Sequence, residues 1–305
     1  MNIIYIGNFI PPYSTENYVA KTLEDLGHKV LKLQENETDL DYILEIQKDF
    51  DFILYTRTWD NCKGDREKFL KEKKIPFIGY SLDIWWGLER EKEIDEQLFF
   101  KTDLLFTADG GHQKEFKEKG IKHIWLPAGI YDKECFYQKK SFKNDLIFVG
   151  SYNYHLEYPF RKDLIDWLKE NYSYFKLFGQ NTQTIRGTEL NRLYASTKIV
   201  IGDSFESLYY WSDRIYETLG RGGFLLHPYT IGLDKEFKDK VHYVGYKRYD
   251  WTDLKRKIDY YLKHDKEREK IRLKGFLKVK SNYTYKHRLT KLINYVKRFK
   301  IQNTR

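Results

Sequence analysis

The residues of this chain that are best suited to chemistry lie between Ser212 and Pro228, in the segment SDRIYETLGRGGFLLHP. Glu217 lies near the start of a predicted short helix, and Gly222 and Gly223 end that helix ahead of a buried strand. Helix N-termini favour anions, because unpaired N–H groups and the helix dipole both point at them. A carboxylate one turn further along can accept hydrogen bonds from sugar hydroxyls. The segment therefore predicts a nucleotide-sugar site.

A simpler interpretation of the same segment is a helix that glycine stops before a core strand. That interpretation accounts for the two glycines by itself. It does not account for the crowding of Ser212, Asp213, Arg214 and Glu217 on one short helix. We therefore favour the site interpretation.

Two further loops follow strand-like runs at equivalent places in the two halves, Gly7-Asn8 and Gly150-Ser151. Neither loop is a G-x-G-x-x-G fingerprint or a P-loop, which argues against a dinucleotide dehydrogenase and an NTPase. Arg161 follows the second loop in a predicted helix, where its guanidinium can reach a phosphate. The alternative for Arg161 is an ordinary charge on a helix surface.

Candidate acceptor-side residues follow two strands of the first half, in YSLDIWWGL and FTADGGH. Asp83 and Asp109 can orient acceptor hydroxyls, and His112 can take or share a proton near neutral pH. For Asp109 the competing explanation is a helix N-cap. Trp85 and Trp86 are either a sugar platform or a core pair.

The composition is that of a globular protein that folds as two domains. The chain has 305 residues, of which 41% are hydrophobic, and two domains of about 150 residues are the default at this length. The two cysteines are predicted to be reduced thiols, which suits the cytoplasm. We find no signal peptide, no apolar run long enough to span a bilayer, and no metal-ligand motif.

Strand and helix signals alternate along both halves, which predicts an α/β protein with two parallel sheets, each covered on both faces. The predicted strands of the first half are Asn2–Gly7, His28–Leu33, Phe52–Tyr55, Phe77–Tyr80, Leu104–Thr107 and His123–Leu126. Those of the second half are Leu146–Val149, Phe175–Phe178, Lys198–Ile201, Phe224–His227 and Val241–Val244, with a helix from about Pro159 to Asn171.

These signals predict domains at 1–138 and 145–284, a polar linker at Tyr137–Asn144, and a basic C-terminal helix at 285–305. The two doubly wound domains are expected to face a cleft, with ligands at the carboxyl ends of strands. The last helix carries an apolar stripe of Leu289, Leu292, Ile293, Val296 and Phe299. The stripe either packs back on the first domain, which we favour, or lies on a membrane surface.

Positive charge is concentrated at the C-terminal end. The formal net charge is +9, and the segment from Trp251 onward contains 18 Lys and Arg against 5 Asp and Glu. An anionic membrane surface and nucleic acid are both candidate partners for this region. A solvated helix face is the third possibility.

Three segments of the second half resemble the nucleotide-binding half of GT-B glycosyltransferases of the "glycosyl transferases group 1" type, in particular the CgeB-like (spore maturation protein type) group. They are FVGSYNYHLEYPFR, SDRIYETLGRGGFLLHP and NYTYKHRL. The first half resembles the family more loosely, through LLFTADGGHQKEF and WLPAGIYDKECF.

The resemblance implies a GT-B fold of two Rossmann-like domains and transfer of a sugar from a nucleotide diphosphate donor, such as a UDP- or GDP-sugar, to an acceptor hydroxyl. It implies no metal and no further cofactor. Glu217 matches the family glutamate that holds the donor ribose, but the family's first glutamate, eight positions earlier, is Tyr209 here. Arg214 would clamp the diphosphate, and Gly150-Ser151 would approach the phosphates. Group 1 relatives mostly retain the anomeric configuration, so that the leaving phosphate helps to deprotonate the acceptor.

Three sets of site residues follow. The catalytic candidates are Asp83, Asp109, His112 and Arg214, and the acceptor-side candidates are Gly7, Asn8, Trp85 and Trp86. The donor-binding candidates are Gly150, Ser151, Arg161, Ser204, Arg214, Tyr216, Glu217, Gly222 and Gly223.

The favoured interpretation is a cytoplasmic glycosyltransferase, peripheral to the membrane if its basic end touches lipid, that acts on a cell-surface glycan or a lipid-linked precursor. A DNA-modifying glycosyltransferase that acts on hydroxylated bases is the first alternative. A non-catalytic two-domain protein that binds a small ligand is the second, and a sugar-nucleotide epimerase is a minor third.

Overall fold

The structure is a computed structural model that describes residues 1–138, 142–152, 157–179 and 185–303. The chain divides into two compact units. The first unit is Met1–Pro127 together with the segment that begins at Tyr285, and the second is Ala128–Thr284. Within the described residues, no helix is both long and apolar enough to cross a membrane.

The first unit is built on a parallel sheet in which the described residues form six strands, in the order β2-β1-β3-β4-β5-β6. The strands are β1 Asn2–Gly7, β2 Lys29–Gln34, β3 Phe52–Tyr55, β4 Phe77–Ser81, β5 Leu104–Thr107 and β6 His123–Trp125. The helices between them are α1 Thr15–Asp25, α2 Leu40–Ile46, α3 Arg66–Glu72 and α4 Gln113–Glu118. Every residue of β3, β4 and β5 is buried, as expected for a parallel sheet that is covered on both faces.

The second unit contains a parallel sheet of five strands within its described residues, in the order β11-β10-β9-β7-β8. The strands are β7 Asn144–Val149, β8 Phe175–Phe178, β9 Thr197–Ile201, β10 Leu225–Pro228 and β11 Val244–Tyr246. The helices are α5 Phe160–Asn171, α6 Gly187–Ala195, α7 Arg214–Gly220, α8 Trp251–Lys263 and α9 Asp265–Asn282. The strand order changes direction between β7 and β9, which is where doubly wound sheets bind ligands.

The first unit ends at Pro127, whereas the sequence placed the end of the first domain at residue 138. The intervening residues pack on the second unit, because the Phe136 amide donates to the Gly220 carbonyl at 3.0 Å and Glu134 forms an ion pair with Arg221 at 2.7 Å. Of the predicted linker, residues 139–141 lie outside the described residues, and Asn144 already belongs to β7.

The last helix, α10 (Tyr285–Asn303), belongs to the first unit and packs against α1. Four residues of its predicted apolar stripe are buried and Phe299 is half-buried. Lys300 forms an ion pair with Asp51 at 2.7 Å in the same unit. The packing interpretation of the stripe is therefore confirmed.

The observed strands lie within a few residues of the predicted ones except at the last. The sequence placed that strand at Val241–Val244, but β11 is Val244–Tyr246. Residues 239–243 form a tight turn instead, in which the Lys240 amide donates to the Tyr243 carbonyl at 2.8 Å. Asp239 closes the turn by accepting a hydrogen bond from the Gly245 amide at 2.7 Å. The carboxylate therefore competes successfully with strand formation.

Candidate active site

The loop after β7 brings backbone unusually close to an arginine side chain. Gly150 has a φ of 151°, and a Cβ at this position would lie 2.5 Å from Arg214 Nη2. Gly179, with a φ of 116°, faces the Gly150 backbone, where a Cβ would lie 3.1 Å from the Gly150 nitrogen. Because neither position has room for a side chain, the paired glycines let the guanidinium reach the end of β7.

A buried carboxylate holds two arginines at the same edge of the sheet. Asp203 follows β9, is fully buried, and accepts from Arg161 Nε at 2.6 Å and from Arg214 Nη1 at 2.5 Å. Both guanidinium groups also lie over the Phe148 ring, at 5.8 and 4.8 Å from its centre. The three charged side chains form what we call the arginine cluster: Arg161, Asp203 and Arg214.

Backbone carbonyls complete the positioning of the arginine cluster. Arg214 Nε donates to the Val149 carbonyl at 3.1 Å, and Arg161 Nη1 donates to the Ser151 carbonyl at 3.4 Å. The cluster is thus tied to both sides of the point where the strand order changes direction. Strand β7 and the start of its loop lie on one side, and the end of β9 lies on the other.

The electrostatics of the arginine cluster favour an anion. Burial disfavours the charged carboxylate of Asp203, but the neighbouring Arg214 and Arg161 outweigh burial and lower its pKa. The three side chains therefore carry a net charge of +1 at the carboxyl end of a parallel sheet. Arginine is well suited to a phosphate there, because its planar fork donates two parallel hydrogen bonds.

Two of the predicted donor-binding residues, Ser204 and Tyr216, make contacts within the second unit. The Ser204 hydroxyl accepts from the Ser212 amide at 3.0 Å and so ties the loop after β9 to the start of α7. Tyr216 is fully buried, where its hydroxyl accepts from Trp211 Nε1 at 2.7 Å and donates to Glu236. In this structure Ser204 and Tyr216 support the loop and the helix from within.

Glu217 lies on α7 with 22% of its side chain exposed. Arg221 Nε donates to its Oε2 at 2.8 Å, and the same buried arginine pairs with Glu134 at 2.7 Å. Burial raises the pKa of Glu217, and the charge of Arg221 counteracts part of that rise. The carboxylate is therefore held in one orientation and remains accessible to solvent.

The two glycines after α7 have a structural explanation of their own. The Gly223 amide donates to the Thr218 carbonyl at 2.8 Å and the Gly222 amide to the Leu219 carbonyl at 3.0 Å, which is the Schellman pattern of a helix end. A Cβ on Gly222 would lie 2.7 Å from the Phe136 oxygen. Helix termination and close packing thus account for both glycines. These contacts do not test whether the segment also binds a nucleotide-sugar.

Tyr209, at the position of the family's first glutamate, occupies a special backbone conformation. Its φ is 49°, which side-chain-bearing residues rarely adopt. Its ring lies over Gly232, where a Cβ would be 2.1 Å from the ring, and Lys235 Nζ lies 4.3 Å from the ring centre. The position that carries a glutamate in the family is therefore occupied by an aromatic side chain in this protein.

In the first unit, Asp109 and His112 form a carboxylate–imidazole pair after β5. His112 Nδ1 lies 2.9 Å from Asp109 Oδ2, and the buried carboxylate also accepts from the Gly111 amide at 3.0 Å. Burial lowers the pKa of His112, but the hydrogen bond and charge of Asp109 outweigh it and raise the pKa. Trp86 stacks on the imidazole, with ring centres 5.8 Å apart. Asp109 therefore orients the imidazole and holds the loop between β5 and α4, whose N-cap residue is His112.

Asp83 and Trp85, two further residues predicted on the acceptor side, both lie near arginines of the first unit. Asp83 is half-exposed and lies 3.8 Å from Arg90, whose guanidinium is 5.0 Å from the centre of the buried Trp85 ring. Trp85 is therefore a core residue that two arginines cover, the second being Arg57 at 4.6 Å.

The Gly7-Asn8 loop lies at the end of β1. A Cβ on Gly7 would be 2.7 Å from the Glu16 side chain, and the Asn8 Oδ1 accepts from the Ile10 amide at 3.4 Å. Gly7 therefore leaves room for the buried Glu16 side chain. The Asn8 side chain stabilises the loop to which it belongs.

Sequence reasoning missed Asp203, Arg221 and Glu134. Asp203 follows a buried strand directly, in Gly202-Asp203-Ser204, and that position is a signal that could have found it. Arg221 stands inside the motif that drew attention to Glu217. Nothing in the local sequence of Glu134 indicates its ion pair, because its partner is 87 residues away.

Residues 161–294 match the family model described as "Glycosyl transferase-like". The matched segment includes all of the arginine cluster and Glu217. The sequence matches none of the curated proteins with which it was compared.

Solved structures with the same fold cover nearly the whole chain. A Thermosynechococcus elongatus sucrose-phosphate synthase is 10% identical, with a TM-score of 0.70 over 99% of this chain and 100% of that one. An α-glucosyltransferase in complex with UDP-glucose and abasic-site DNA is 10% identical, with a TM-score of 0.69 over 97% and 99%. A Rickettsia africae glycosyltransferase is 13% identical, with a TM-score of 0.66 over 97% and 98%.

The predicted fold class is confirmed, since two parallel-sheet Rossmann-like units match GT-B structures over their whole length. The CgeB-like subgroup stays a prediction. The family match over residues 161–294 and the fold of the whole chain together support a glycosyltransferase with the GT-B fold.

Proposed function

We propose that this enzyme transfers a sugar from a UDP-sugar to an acceptor hydroxyl, and that the second unit binds the donor. The diphosphate lies against the arginine cluster, and the Gly150-Ser151 loop approaches it from the end of β7. The observation that carries the proposal is the pairing of two arginines on one buried aspartate beside Gly150. The α-glucosyltransferase with the same fold that binds UDP-glucose supports the choice of base and the class of donor.

Arg214 and Arg161 stabilise the departing diphosphate in this proposal. Negative charge develops on the leaving oxygen as the glycosidic bond breaks, and preorganised cations lower the free energy of that state. Because two guanidinium groups supply this charge, we expect transfer without a metal. Activity measured after treatment with a chelator should equal that of the untreated enzyme, whereas a loss that Mg²⁺ or Mn²⁺ restores would contradict this part of the proposal.

Glu217 holds the ribose of the donor. Glu217 lies one turn along α7 from Arg214, so that the ribose and the diphosphate are contacted from different positions on the helix. Arg221 keeps the Glu217 carboxylate in place. One carboxylate can accept from both vicinal ribose hydroxyls.

Replacing Glu217 by alanine should weaken donor binding by about 1–3 kcal/mol, the scale of lost hydrogen bonds to a charged group. Calorimetric titration with UDP gives the change in Kd, and the exposed Glu170→Ala on α5 is the matched control. Because Arg221 keeps Glu134 as a partner, the melting temperature should change little. Unchanged UDP affinity in Glu217→Ala would remove the ribose assignment.

We further propose retention of the anomeric configuration, with the leaving phosphate taking the acceptor proton. His112 then orients the acceptor, together with Asp83 and Asp109. Under this mechanism no strong protein base is needed, and the imidazole contributes hydrogen bonding only.

Replacing His112 by glutamine should therefore lower kcat by less than about tenfold, since an orienting hydrogen bond is worth about 1 kcal/mol. The comparison should be made over a range of pH on both sides of neutrality, because the pKa of His112 is raised above its ordinary value of 6.5. A loss of more than a hundredfold, together with the disappearance of an ionisation from the pH profile, would show that His112 is the general base and that transfer inverts the anomeric centre.

The decisive test of the donor is a thermal-shift panel of UDP, GDP, TDP, CDP and their common sugars. Ligands that bind the native state raise the melting temperature with saturation, so a hit names the donor directly. We expect UDP and one UDP-sugar to give the largest shifts. Shifts with GDP alone would overturn the choice of base, and no shift with any nucleotide would overturn the donor site.

We propose a cell-surface glycan or a lipid-linked precursor as the acceptor. DNA with hydroxylated bases is a second candidate, because the net charge is +9 and a GT-B structure bound to DNA shares the fold. Incorporation of labelled sugar into hydroxymethylated duplex DNA, but not into the unmodified duplex, would establish that second function.

A further inference from the structure

Helix α9 presents a face to solvent that is both cationic and apolar. Its exposed residues recur at intervals of three and four positions, which places them along one side of the helix. We call this surface the α9 face, and its residues are Lys266, Lys270, Leu273, Lys274, Leu277 and Lys280.

The two leucines at the centre of the α9 face lie one turn apart and are unusually exposed. Leu273 is 40% exposed and Leu277 is 49% exposed. The opposite side of α9 provides the contacts with the second unit, through Ile271, Phe276 and Val279, which are buried. The buried side of the helix also contains the fully buried Arg268 and Arg272, and the outer side places two further leucines among lysines.

The three acidic residues of α9 interact with neighbouring side chains of the second unit. Asp265 pairs with Arg268 at 2.7 Å, and Glu269 pairs with the buried Arg272 at 2.8 Å. Glu267 accepts a hydrogen bond from Tyr260 at 2.7 Å. Helix α9 carries five lysines and two arginines against these three carboxylates, so its net charge is positive.

Further lysines adjoin the α9 face within the second unit. Burial lowers the pKa of His242, and the charges of Lys278, Lys274 and Lys238 lower it further. The charges of these three lysines therefore act on one imidazole, and Lys238 is itself exposed. The positive potential of the face extends beyond α9 to the segment before β11.

We propose that the α9 face binds the surface of an anionic lipid bilayer. Helix α9 has 18 residues and is therefore about 27 Å long. It would lie in the plane of the membrane, with Leu273 and Leu277 in the interfacial region and the lysines at the level of the lipid phosphates. Long lysine side chains can reach the headgroups while leucines insert beside them. Two leucines at the centre favour a bilayer over nucleic acid, because contacts to a phosphate backbone need only the cations.

The test is co-sedimentation of the full-length protein with vesicles of phosphatidylcholine alone and with 30 mol% phosphatidylglycerol added. We expect binding to the anionic vesicles only, weakening as salt is raised. In Lys270→Gln/Lys274→Gln the partition coefficient should fall about 30-fold, because each lysine near an anionic surface contributes about a factor of five. In Leu273→Ser/Leu277→Ser it should fall at least about tenfold.

The matched control is Lys286→Gln/Lys291→Gln, which removes two exposed lysines from α10 and should bind as the parent protein does. All substituted side chains are exposed, so unchanged melting temperatures confirm folding. Equal binding by the leucine variant, equal loss in the α10 control, or binding to a 30-base-pair duplex without binding to vesicles would each overturn the proposal. The assay contains no nucleotide-sugar, so its failure leaves the donor site untouched.

Discussion

Replacing Arg214 by alanine should lower kcat for sugar transfer by about 100- to 1000-fold, which is the usual effect of removing one preorganised group that stabilises developing negative charge. The guanidinium touches the carbonyl of Val149 and lies against Gly150, so it reaches the end of β7 from across the sheet. Donor affinity should fall much less, because the ground-state diphosphate keeps Arg161 and the backbone of the loop. Measuring kcat by single-turnover kinetics and Kd for UDP separately decides the point.

Arg192→Ala is the matched control for this experiment, since it removes an exposed arginine from α6 of the same unit. Arg214→Lys keeps the charge but loses the planar fork, and we expect an intermediate kcat. If Arg214→Ala weakened UDP binding strongly and left kcat unchanged, the arginine would serve only ground-state binding. The role in stabilising the leaving group would then be wrong.

Replacing Asp203 by alanine should lower the free energy of unfolding by about 3–5 kcal/mol, because it leaves two largely buried guanidinium groups without their shared carboxylate. Asp203 is fully buried, and both of its oxygens are used by Arg161 and Arg214. Urea unfolding of the parent and of the variant measures the difference. The exposed Asp213→Ala, one residue before α7, is the control and should change stability by less than about 0.5 kcal/mol.

The contribution of Asp203 should also depend on pH in a defined direction. Because the arginines lower its pKa in the folded state below the ordinary value of 3.8, the stabilisation is fully present above the unfolded pKa and is lost as pH falls through the folded pKa. The difference in stability between the parent and Asp203→Ala should therefore be constant above about pH 5 and shrink below pH 4. A difference that grew on acidification would contradict the assignment.

The strands and their order along the chain could be predicted because each buried strand is a short continuous apolar run. Phe52–Tyr55 and Leu104–Thr107 match the observed strands residue for residue. Ends that depend on a polar side chain could not be predicted in this way. The turn before β11 is an example, because the Asp239 carboxylate holds it and its hydrogen bond to Gly245 spans six residues.

The predicted donor-binding residues fall into two groups, those whose position the sequence could predict and those whose orientation it could not. Gly150 and Arg161 were chosen for residue type and for their place after a strand, and Arg214 for its place on the short helix. The three come together at one edge of the second sheet. Tyr216 was chosen from the same segment as Arg214, yet its side chain is buried on the inner side of α7. Residue type alone does not say which side of a seven-residue helix faces the core.

The amino-acid sequence by itself determined the α/β alternation, the two similar sheets, the GT-B resemblance and the identity of the motif around Glu217, because all of these are local patterns of burial and residue type. Only the tertiary structure decided that Asp203 joins Arg161 to Arg214, that residues 128–138 belong with the second unit, and that α9 turns two leucines outward. Each of these depends on which strands or helices become neighbours. Packing between segments that are far apart in the chain decides which elements become neighbours. A local sequence pattern does not contain that information.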